Sequence, residues 1–505
     1  MKFLSLNLLI FSPLIAAIII ASPLFGSNPM YIRRFSKAFA SLHFLYSLLF
    51  VLYQKISVEN LYSEITLFGH NWLDSFGINA AIGLDGLTSL LVAFTSLIFL
   101  LALIVSKSTI RYKHKLYYCL IFCLMTTTLG IFTSKDIFLF FMFWEAELIP
   151  VYLLISQWGS EKARESATKY FLYVFSGSIL ILSSIIGLYY YGFAANGELS
   201  SSIDFLRVYS SDNICPYFLQ LFMFFGLLAG FGIKLPIIPF HLWNTEAATN
   251  SQTPVSIIIS AVLINTGAYG IIKFNLGLFP EIYAKIAPYL MIIAVLNIIW
   301  ASLAAFKQKN IKKTIGYYSI ASMGIFLLGV SSLNKTGIDG AILQIFAHSI
   351  TVAGLYLIAG FIHQATKTYS LQEIGGLGVK MPHLMICSYI ICFAAIGMPF
   401  TCTFTAEFLS FIGSVCADYS MLYKILTAIA ICSIILTAAY ILNLFHKTFC
   451  GNCKILNKTV NDIYGHRATV MAIIILCILV FGIFPDSLIS VYNGLTENLI
   501  EILRV

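Results

Sequence analysis

The stretch Phe140-Phe-Met-Phe-Trp-Glu-Ala-Glu-Leu-Ile-Pro150 places two carboxylates in the middle of an otherwise apolar run. The run from 137 to 157 is long enough to cross a membrane, which takes about 20 mostly apolar residues. A charged side chain at the bilayer centre costs ~2.5–3.5 kcal/mol or more, so such groups persist where they face a bundle interior or a wet path. The stretch therefore predicts a membrane helix packed among other helices.

The composition of the whole chain extends this prediction. Of its 505 residues, 59% are hydrophobic and only 10% are charged, whereas a soluble domain carries about 25% charged residues. This is too little charge to cover a water-exposed surface, which excludes a soluble globular protein, a disordered chain and a nucleic-acid-binding protein. The net charge of +8 is scattered over short loops, so a polytopic membrane protein is the class that remains.

Hydropathy divides the chain into about fourteen candidate spans and therefore predicts an all-α polytopic membrane protein. The spans lie at about 3–24, 36–54, 84–106, 115–133, 137–157, 167–191, 216–243, 254–275, 286–306, 314–333, 338–363, 382–415, 421–446 and 467–485. The first run imitates a signal peptide, but Arg33, Arg34 and Lys37 follow it, which is the reverse of a secretory signal. No low-complexity linker interrupts the chain, so we expect one transmembrane domain over 1–505.

The basic residues predict the orientation of the spans. Loops after odd-numbered spans hold 20 of the 30 lysines and arginines, among them Lys309, Lys312 and Lys313. The opposite face, including both chain ends, holds nine. By the positive-inside rule we expect both termini on the outer, positive side of the membrane.

Ionisable side chains inside the spans are the candidate functional residues. Glu145, Lys234 and Glu407 lie within apolar helices, and His348 adds a group that titrates near neutral pH. Burial favours the neutral amine of a lysine and a nearby carboxylate favours the ammonium ion, so joining or separating such a pair binds or releases a proton. The alternatives are an ion pair that only locks helices together and, for His348, a hydrogen-bonded core histidine. Glu147 points about 200° away from Glu145 on a regular helix, and we expect it to make a helix–helix hydrogen bond.

Two of the spans are interrupted, and both interruptions lie beside these charges. Span seven carries glycines and prolines around Lys234, and span twelve carries Gly397-Met-Pro399 ahead of Glu407. Broken helices beside buried charges mark ion sites in transporters that are built from inverted repeats. The two spans lie five helices apart and so cross in opposite directions, as an inverted repeat requires. We expect N-terminal helices over 1–115, repeat units over 115–275 and 286–446, and a C-terminal helix and tail over 447–505.

The cysteines do not indicate a redox centre. Most of the eleven lie in apolar runs, where a thiol behaves as a small hydrophobe. Cys450 and Cys453 form a single CxxC pair, whereas a structural zinc site or an iron–sulfur cluster uses about four ligands. We expect no metal and no cofactor bound by this chain.

These motifs resemble a known family, the antiporter-like subunit M, or chain 4, of NADH–quinone oxidoreductase (respiratory complex I). The similarity extends from about residue 80 to 485 and is carried by these runs: Thr133–Ile155 with Trp158-Gly159, Ser166–Tyr173, Lys234-Leu-Pro-Ile-Ile-Pro-Phe-His-Leu-Trp243, Gly267-Ala-Tyr-Gly270, Ile311–Tyr317, Gly397-Met-Pro399, Glu407-Phe408 and Ala439-Tyr440. The resemblance implies fourteen helices with two inverted five-helix units. It also implies a proton-translocating subunit without a cofactor of its own.

The resemblance assigns a role to each candidate residue. Glu145 corresponds to the glutamate that pairs with Lys234, His348 to a histidine of a central hydrophilic axis, and Glu407 to an exit-side glutamate. Two family positions differ here, because Asn265 stands in place of a connecting lysine and Ser322 in place of a histidine. Both can hydrogen-bond to water but neither can carry a transferable charge, so this copy pumps through bridging water, or pumps poorly or not at all.

After Trp243 the family's usual acid survives as Glu246, but its neighbouring histidine does not. Asp85 and Lys169 lie at span ends, and we expect them to reach the membrane interface.

Three hypotheses follow for the function. The first is a translocase: the chain is a non-redox subunit of NADH:quinone oxidoreductase and moves protons through Glu145, Lys234, His348 and Glu407. The second is a subunit of a multi-subunit sodium/proton antiporter or of a hydrogenase-linked complex. The third is a scaffold with an impaired relay, suggested by Asn265.

The first hypothesis implies partners and a location. The partners are other membrane-arm subunits and the lipid bilayer, with no nucleic acid, and NADH, FMN, iron–sulfur clusters and quinone belong to partner subunits. The location is an energy-transducing membrane: the bacterial plasma membrane, the mitochondrial inner membrane or the thylakoid.

Overall fold

Apolar α-helices make up nearly all of the computed structural model. It describes residues 2–26, 28–57, 61–64, 73–106, 110, 112–197, 199–209, 215–417, 421–452 and 461–504. The helices in this part of the chain are α1 (Lys2–Ala21), α2 (Pro29–Ser57), α3 (Gly86–Val105), α4 (His114–Thr133), α5 (Ile137–Ala146), α6 (Leu148–Trp158), α7 (Ala163–Asn196), α8 (Ile203–Tyr209), α9 (Tyr217–Lys234), α10 (Leu242–Asn250), α11 (Thr253–Ile258), α12 (Ile264–Gly270), α13 (Pro280–Phe306), α14 (Ile311–Val330), α15 (Lys335–Thr366), α16 (Pro382–Ile396), α17 (Cys402–Val415), α18 (Met421–Phe449), α19 (His466–Ile483) and α20 (Asp486–Arg504).

These helices confirm the predicted fold class, an all-α polytopic membrane protein. Among the described residues, 12 helices are long and apolar enough to cross a membrane. Three shorter apolar helices, Leu6–Ala21, α16 and α17, lie where the first and twelfth spans are predicted. The total of fourteen spans and the division into repeat units remain predictions.

The breaks predicted in spans seven and twelve are present. Span seven ends as α9 at Lys234 and resumes as α10, and span twelve is divided into α16 and α17. Proline removes a backbone donor and clashes with the preceding turn, and glycine adopts the left-handed backbone that ends a helix. Pro236 accordingly follows α9, and Gly397 follows α16 with φ of 77°.

Two further irregularities were not predicted. Span five is divided at Glu147 into α5 and α6, because the ring of Pro150 cannot continue the helix past the carbonyl of residue 146. Span eight contains two π-helical segments, Ile259–Leu263 and Ile271–Leu276, on either side of α12. π-Helical turns occur often at functional sites.

The helices that carry the polar centre are among the most deeply buried in the described part of the chain. Span eight and α15 are buried along their whole length within the molecule, and α14 nearly so. In span seven, α9 packs against α12 of span eight, and in span twelve, α17 packs against α14 and α15. Span eight in turn contacts α15 through α11. The breaks therefore lie on either side of one central layer.

Two elements at one face complete the fold and were not predicted. Strand β1 (Leu61–Glu64) pairs antiparallel with β2 (Ala81–Leu84) in the connection between the second and third predicted spans. The chain then ends in α20, which follows the last membrane helix and packs against α3 and α15. The hydroxyl of Tyr492 in α20 donates to the carbonyl of Asp339 at 3.1 Å.

Candidate functional site

A buried ion pair lies between the two broken helices of the first half of the chain. Lys234 Nζ lies 2.5 Å from Glu147 Oε1, and neither side chain has any exposed surface. The ammonium group also lies 4.0 Å from the centre of the Trp144 ring, a cation–π contact. Both charged residues stand at helix ends, Lys234 as the last residue of α9 and Glu147 in the break between α5 and α6.

This pair corrects the sequence analysis. The resemblance assigns Glu145 to Lys234, but the hydrogen-bonded carboxylate is that of Glu147. Glu145 is only half-buried, and its Oε1 has no hydrogen-bond partner in the described part of the chain. Helical spacing correctly separates the two acids around the helix, but spacing alone cannot tell which of them faces the interior.

The geometry of span seven holds Lys234 at this position. The indole Nε1–H of Trp243 donates to the carbonyl of Ile233 at 2.8 Å, which satisfies a backbone group that the break sets free. A side chain at Gly267 would meet Leu235 N and Phe231 O at 2.8 Å. Gly267 therefore lets span eight touch the broken segment two residues from Asn265.

Asn265 lies in the layer between the two halves and makes only neutral contacts. Its Nδ2 donates to Ser349 Oγ at 2.6 Å and to the Ala261 carbonyl at 2.9 Å. Its Oδ1 is buried and has no partner among the described residues. An unsatisfied buried acceptor suits a water molecule, so the amide can extend a water chain but cannot hold a proton of its own.

His348 is fully buried and hydrogen-bonded through both ring nitrogens. Nε2 lies 3.1 Å from the carbonyl of Ser260, which can only accept, so Nε2 carries a proton. Nδ1 lies 2.6 Å from the Ser322 hydroxyl, and that hydroxyl also lies 3.0 Å from the Ser319 carbonyl. Ser322 can therefore donate to a neutral ring, or accept from a protonated ring while it donates to Ser319. The site accommodates both protonation states of His348.

Glu407 lies at the other end of this polar group. It is nearly buried, and the missing side chain of Gly397 makes room for it, because a Cβ there would lie 2.5 Å from Glu407 Oε2. Glu407 shares a cavity of about 10 Å³ with Tyr318, Ser322 and Tyr440, which is enough for about one water molecule. Ser322 thus touches His348 and lines the cavity that holds Glu407.

The four predicted residues fall into two groups. His348 and Glu407 are connected through Ser322 and the small cavity. Lys234 forms the other group: Glu147 is hydrogen-bonded to it, and the charge of Glu145 acts on it. In the described part of the chain, no direct hydrogen bond links Lys234 to Asn265. Proton transfer between the groups would require intervening water.

A second charged cluster was not predicted. Asp85 caps the N-terminus of α3. Its Oδ2 lies 3.5 Å from Lys135 Nζ and 3.4 Å from Lys273 Nζ, so it forms ion pairs with both lysines. Burial opposes ionisation of Asp85, but the two lysines and the hydrogen bonds from Thr88 outweigh it and lower the pKa of the carboxyl group. Asp85 is therefore a buried bridge between two lysines, and its expected position at the membrane interface stays a prediction. The charge alternation assigns all three residues to one membrane face, a signal that could have found the cluster.

The remaining candidates are peripheral. Lys169 is about half exposed and pairs with Glu246 at 2.8 Å, which is the acid retained after Trp243. Within the described part of the chain, no three His, Cys, Asp or Glu side chains form a group able to hold a metal ion. Cys450 is a free thiol, while Cys453 lies outside the described residues.

Sequence comparisons agree with the architecture. A family model described as NADH:quinone oxidoreductase/Mrp antiporter, TM, matches residues 134–446. NADH-quinone oxidoreductase subunit M of Rickettsia conorii is 33% identical over 506 residues, which cover 98% of this chain and 98% of that protein. NAD(P)H-quinone oxidoreductase chain 4 2 of Microcystis aeruginosa is 36% identical over 392 residues, 77% of this chain and 69% of that protein.

Solved structures agree as well. A chain of the respiratory complex I from Thermus thermophilus with bound NADH superposes with a TM-score of 0.86 at 25% identity, over 99% of both chains. A chain of the Mrp complex from Dietzia sp. DQ12-45-1b has the same fold, with a TM-score of 0.86 at 18% identity over 98% and 97% of the two chains. The chain therefore belongs to the NADH:quinone oxidoreductase/Mrp antiporter transmembrane family.

Proposed function

We propose that this chain is a proton-translocating membrane subunit of an NADH–quinone oxidoreductase. Electron transfer takes place in partner subunits, which hold NADH, FMN, iron–sulfur clusters and quinone, and this chain acts as a non-redox translocase. The relatives named above are subunits of that enzyme by name. The observation that carries the proposal is the fully buried Lys234–Glu147 pair at the ends of two broken helices.

The energetics of such a pair favour a switch. A buried ion pair is weak evidence for stability, because desolvation of the two charges can exceed their attraction. A carboxylate and an ammonium in contact keep their charges, whereas a separated lysine in a low-dielectric interior releases its proton. Because Lys234 and Glu147 are carried by different spans, a small relative movement of α9 against α5 and α6 alters their distance.

The released proton has a defined set of acceptors. We assign His348 and Glu407 as the next proton-binding residues, with water joining Lys234 to the Asn265 amide and Ser322 joining His348 to the cavity of Glu407. The half-buried Glu145 remains a candidate acid beside Lys234, since its charge acts on that lysine.

Purification tests the assignment to an oxidoreductase. The full-length chain, solubilised in mild detergent, should co-purify with NADH–quinone reductase activity, because a non-redox subunit has no activity without its partners. In proteoliposomes the purified complex should acidify one side on addition of NADH and quinone. Recovery of an assembly that exchanges sodium for protons without NADH would reject this function.

The second candidate is a subunit of a sodium/proton antiporter or of a hydrogenase-linked complex. Two observations favour keeping it, namely that the family description itself includes Mrp antiporters and that the fold matches the Dietzia chain. Proton movement measured in inverted membrane vesicles distinguishes the oxidoreductase from the antiporter. Proton transport that is driven by a sodium gradient and does not respond to NADH supports the second candidate.

The third candidate is a scaffold without a working relay, and Asn265 tests it. We expect Asn265→Lys to speed proton pumping by up to about tenfold, because it adds a titratable group where a neutral amide bridges two halves, and positioned groups speed proton transfer by about 10²–10⁴-fold. The rate of proton pumping would be measured beside an Asn265→Met control, which should pump more slowly. Absence of pumping in wild type and in Asn265→Lys alike would support the scaffold.

We also infer the location from the charges. Twenty of the 30 basic residues fall in loops after odd-numbered predicted spans. By the positive-inside rule this supports an energy-transducing membrane with both chain ends on its outer, positive side. The partners in that membrane are other membrane-arm subunits and the lipid.

A further inference from the structure

A second fully buried lysine lies away from the relay described above. Lys312 is the second residue of α14, and its side chain has no exposed surface. From the sequence, Lys312 is expected in a loop after an odd-numbered span, whereas the structure places it inside a helix. A buried ammonium group requires compensation, and the kind of compensation it has indicates its role.

Lys312 is stabilised by neutral groups. Its Nζ donates to the Ser251 carbonyl at 2.6 Å and to Ser256 Oγ at 2.9 Å, and it lies 4.8 Å from the centre of the Tyr369 ring. Within the described part of the chain, no carboxylate lies within ion-pair distance of it. In contrast to Lys234, its charge is therefore not tied to an acid.

The hydrogen bonds of Ser256 suit both the ammonium and the neutral amine. The Ser256 hydroxyl lies 2.7 Å from the Ala248 carbonyl and 3.1 Å from the Gln252 carbonyl, so it can accept from the ammonium and donate to the backbone. When the amine is neutral, the hydroxyl can turn and donate to its lone pair. Ser256 can thus hydrogen-bond to either protonation state of Lys312, as Ser322 can to either protonation state of His348.

Two aromatic rings lie beside Lys312. The ring of Tyr369 is stacked on that of His363, with centres 4.1 Å apart and an angle of 7° between the planes. Both rings are half-buried, and the charges of Lys312 and Lys367 act on His363. Tyr369 contacts Lys312, and His363 is stacked on Tyr369, so these are the titratable groups on this side of the lysine. Neither of them is a carboxylate that could form an ion pair with it.

The inner side of Lys312 leads to His348 along span eight. Ser260 lies one helical turn, about 6 Å, beyond Ser256, in the first π-helical segment. Its carbonyl accepts from His348 Nε2 at 3.1 Å, and its hydroxyl lies 3.3 Å from Tyr356 Oη. The carbonyl can only accept, so Ser260 orients His348 and does not itself hand it a proton. A proton that moves inward from Ser256 is therefore carried by water along span eight.

We propose that Lys312 is a proton-binding residue that takes up protons from the basic face and passes them, through Ser256 and water, to the polar interior of the second half of the bundle. The ammonium ion gives its proton to the water beside Ser256 and becomes a neutral amine, which a proton arriving past His363 and Tyr369 restores. No bond other than those to hydrogen is made or broken. This uptake route serves the second half of the bundle and rests on the proposed proton-translocating function.

The test compares Lys312→Met with Lys313→Met in the complete purified complex in proteoliposomes. Lys313 is the adjacent, half-buried lysine on the same helix, so both variants lose one positive charge. We expect Lys312→Met to slow coupled proton pumping about tenfold or more, because a positioned group contributes on the order of 10²–10⁴-fold to proton transfer. Lys313→Met should pump as wild type does. Normal pumping by Lys312→Met overturns the proposal.

A further pair of variants separates proton transfer from a structural charge. Lys312→Arg keeps the charge but cannot release a proton, and Lys312→His can titrate. We expect Arg to be as slow as Met and His to recover part of the rate. Wild-type pumping by Lys312→Arg would overturn the proposal, since a fixed charge would then suffice.

Two controls keep the result interpretable. If native gels show that the Lys312 variants fail to assemble, Ser256→Ala removes the hydroxyl beside the amine at little cost in volume. Pumping by Ser256→Ala should fall, and unchanged pumping would overturn the route. Lys234→Met is measured in parallel: normal pumping there rejects the proposed function, whereas lost pumping there with normal pumping in Lys312→Met rejects only this inference.

Discussion

Lys234→Met should abolish proton translocation by this subunit in the assembled complex. Methionine fills a similar volume but cannot carry charge, so Glu147 loses its only ion-pair partner among the described residues. Breaking a buried pair on one side costs on the order of 3–5 kcal/mol unless the remaining group becomes neutral. Glu147 is then expected to stay protonated, and the switch no longer exists.

The measurement is the number of protons pumped per electron in proteoliposomes. Lys335→Met is the matched control, because Lys335 forms a Lys–Glu pair with Glu497 at 2.8 Å in which both side chains are about half exposed. Water screens such a pair, so we expect its loss to leave pumping unchanged. Undiminished pumping per electron in Lys234→Met would end the assignment of Lys234 as a proton-binding residue.

Glu147→Gln should impair pumping far more than Glu145→Gln. Glutamine preserves the shape of the side chain and can still hydrogen-bond, but it removes the negative charge. At Glu147 this leaves the Lys234 ammonium buried without its counter-charge at 2.5 Å, so we expect the lysine to become neutral. Pumping should then fall at least about tenfold, because positioned proton-transfer groups contribute about 10²–10⁴-fold. At the half-buried Glu145 the same change removes only a more distant charge.

Pumping and complex assembly would be measured for both single variants. Combining Glu147→Gln with Lys234→Met completes a double-mutant cycle, and we expect the double variant to be no worse than Lys234→Met alone because the two residues act as a unit. The resemblance to the family predicts the reverse ranking of the two acids. A severe defect in Glu145→Gln with normal pumping in Glu147→Gln would therefore favour the pairing expected from sequence.

Two of the helix breaks could be predicted from the sequence, but the partner of Lys234 could not. The breaks around Lys234 and before Glu407 were predicted because proline and glycine act locally, and both are present. The partner of Lys234 was not, because it depends on which side of α5 and α6 faces α9. Glu145 and Glu147 are both acids in the same apolar run, and only packing distinguishes them.

The charge clusters illustrate the same limit. Lys312 and Lys313 are adjacent and chemically identical, and charge counting treats them alike. In the structure, Lys312 is buried against Ser251 and Ser256, which belong to the neighbouring α10–α11 region. Asp85 likewise meets lysines about 50 and 190 positions away along the chain, a contact that no local pattern encodes.

The amino-acid sequence by itself determined that this protein lies in a membrane, that its helices carry a few ionisable groups and where two of those helices break. Those properties follow from local hydropathy and from the backbone restrictions of proline and glycine. Only the tertiary structure decided which acid holds Lys234, that Ser322 connects His348 to the cavity of Glu407, and that Lys312 has no carboxylate partner in the described part of the chain. The reason is that a side chain's electrostatic environment is set by distant segments packed against it, and their distances and exclusion of water exist only in the folded bundle.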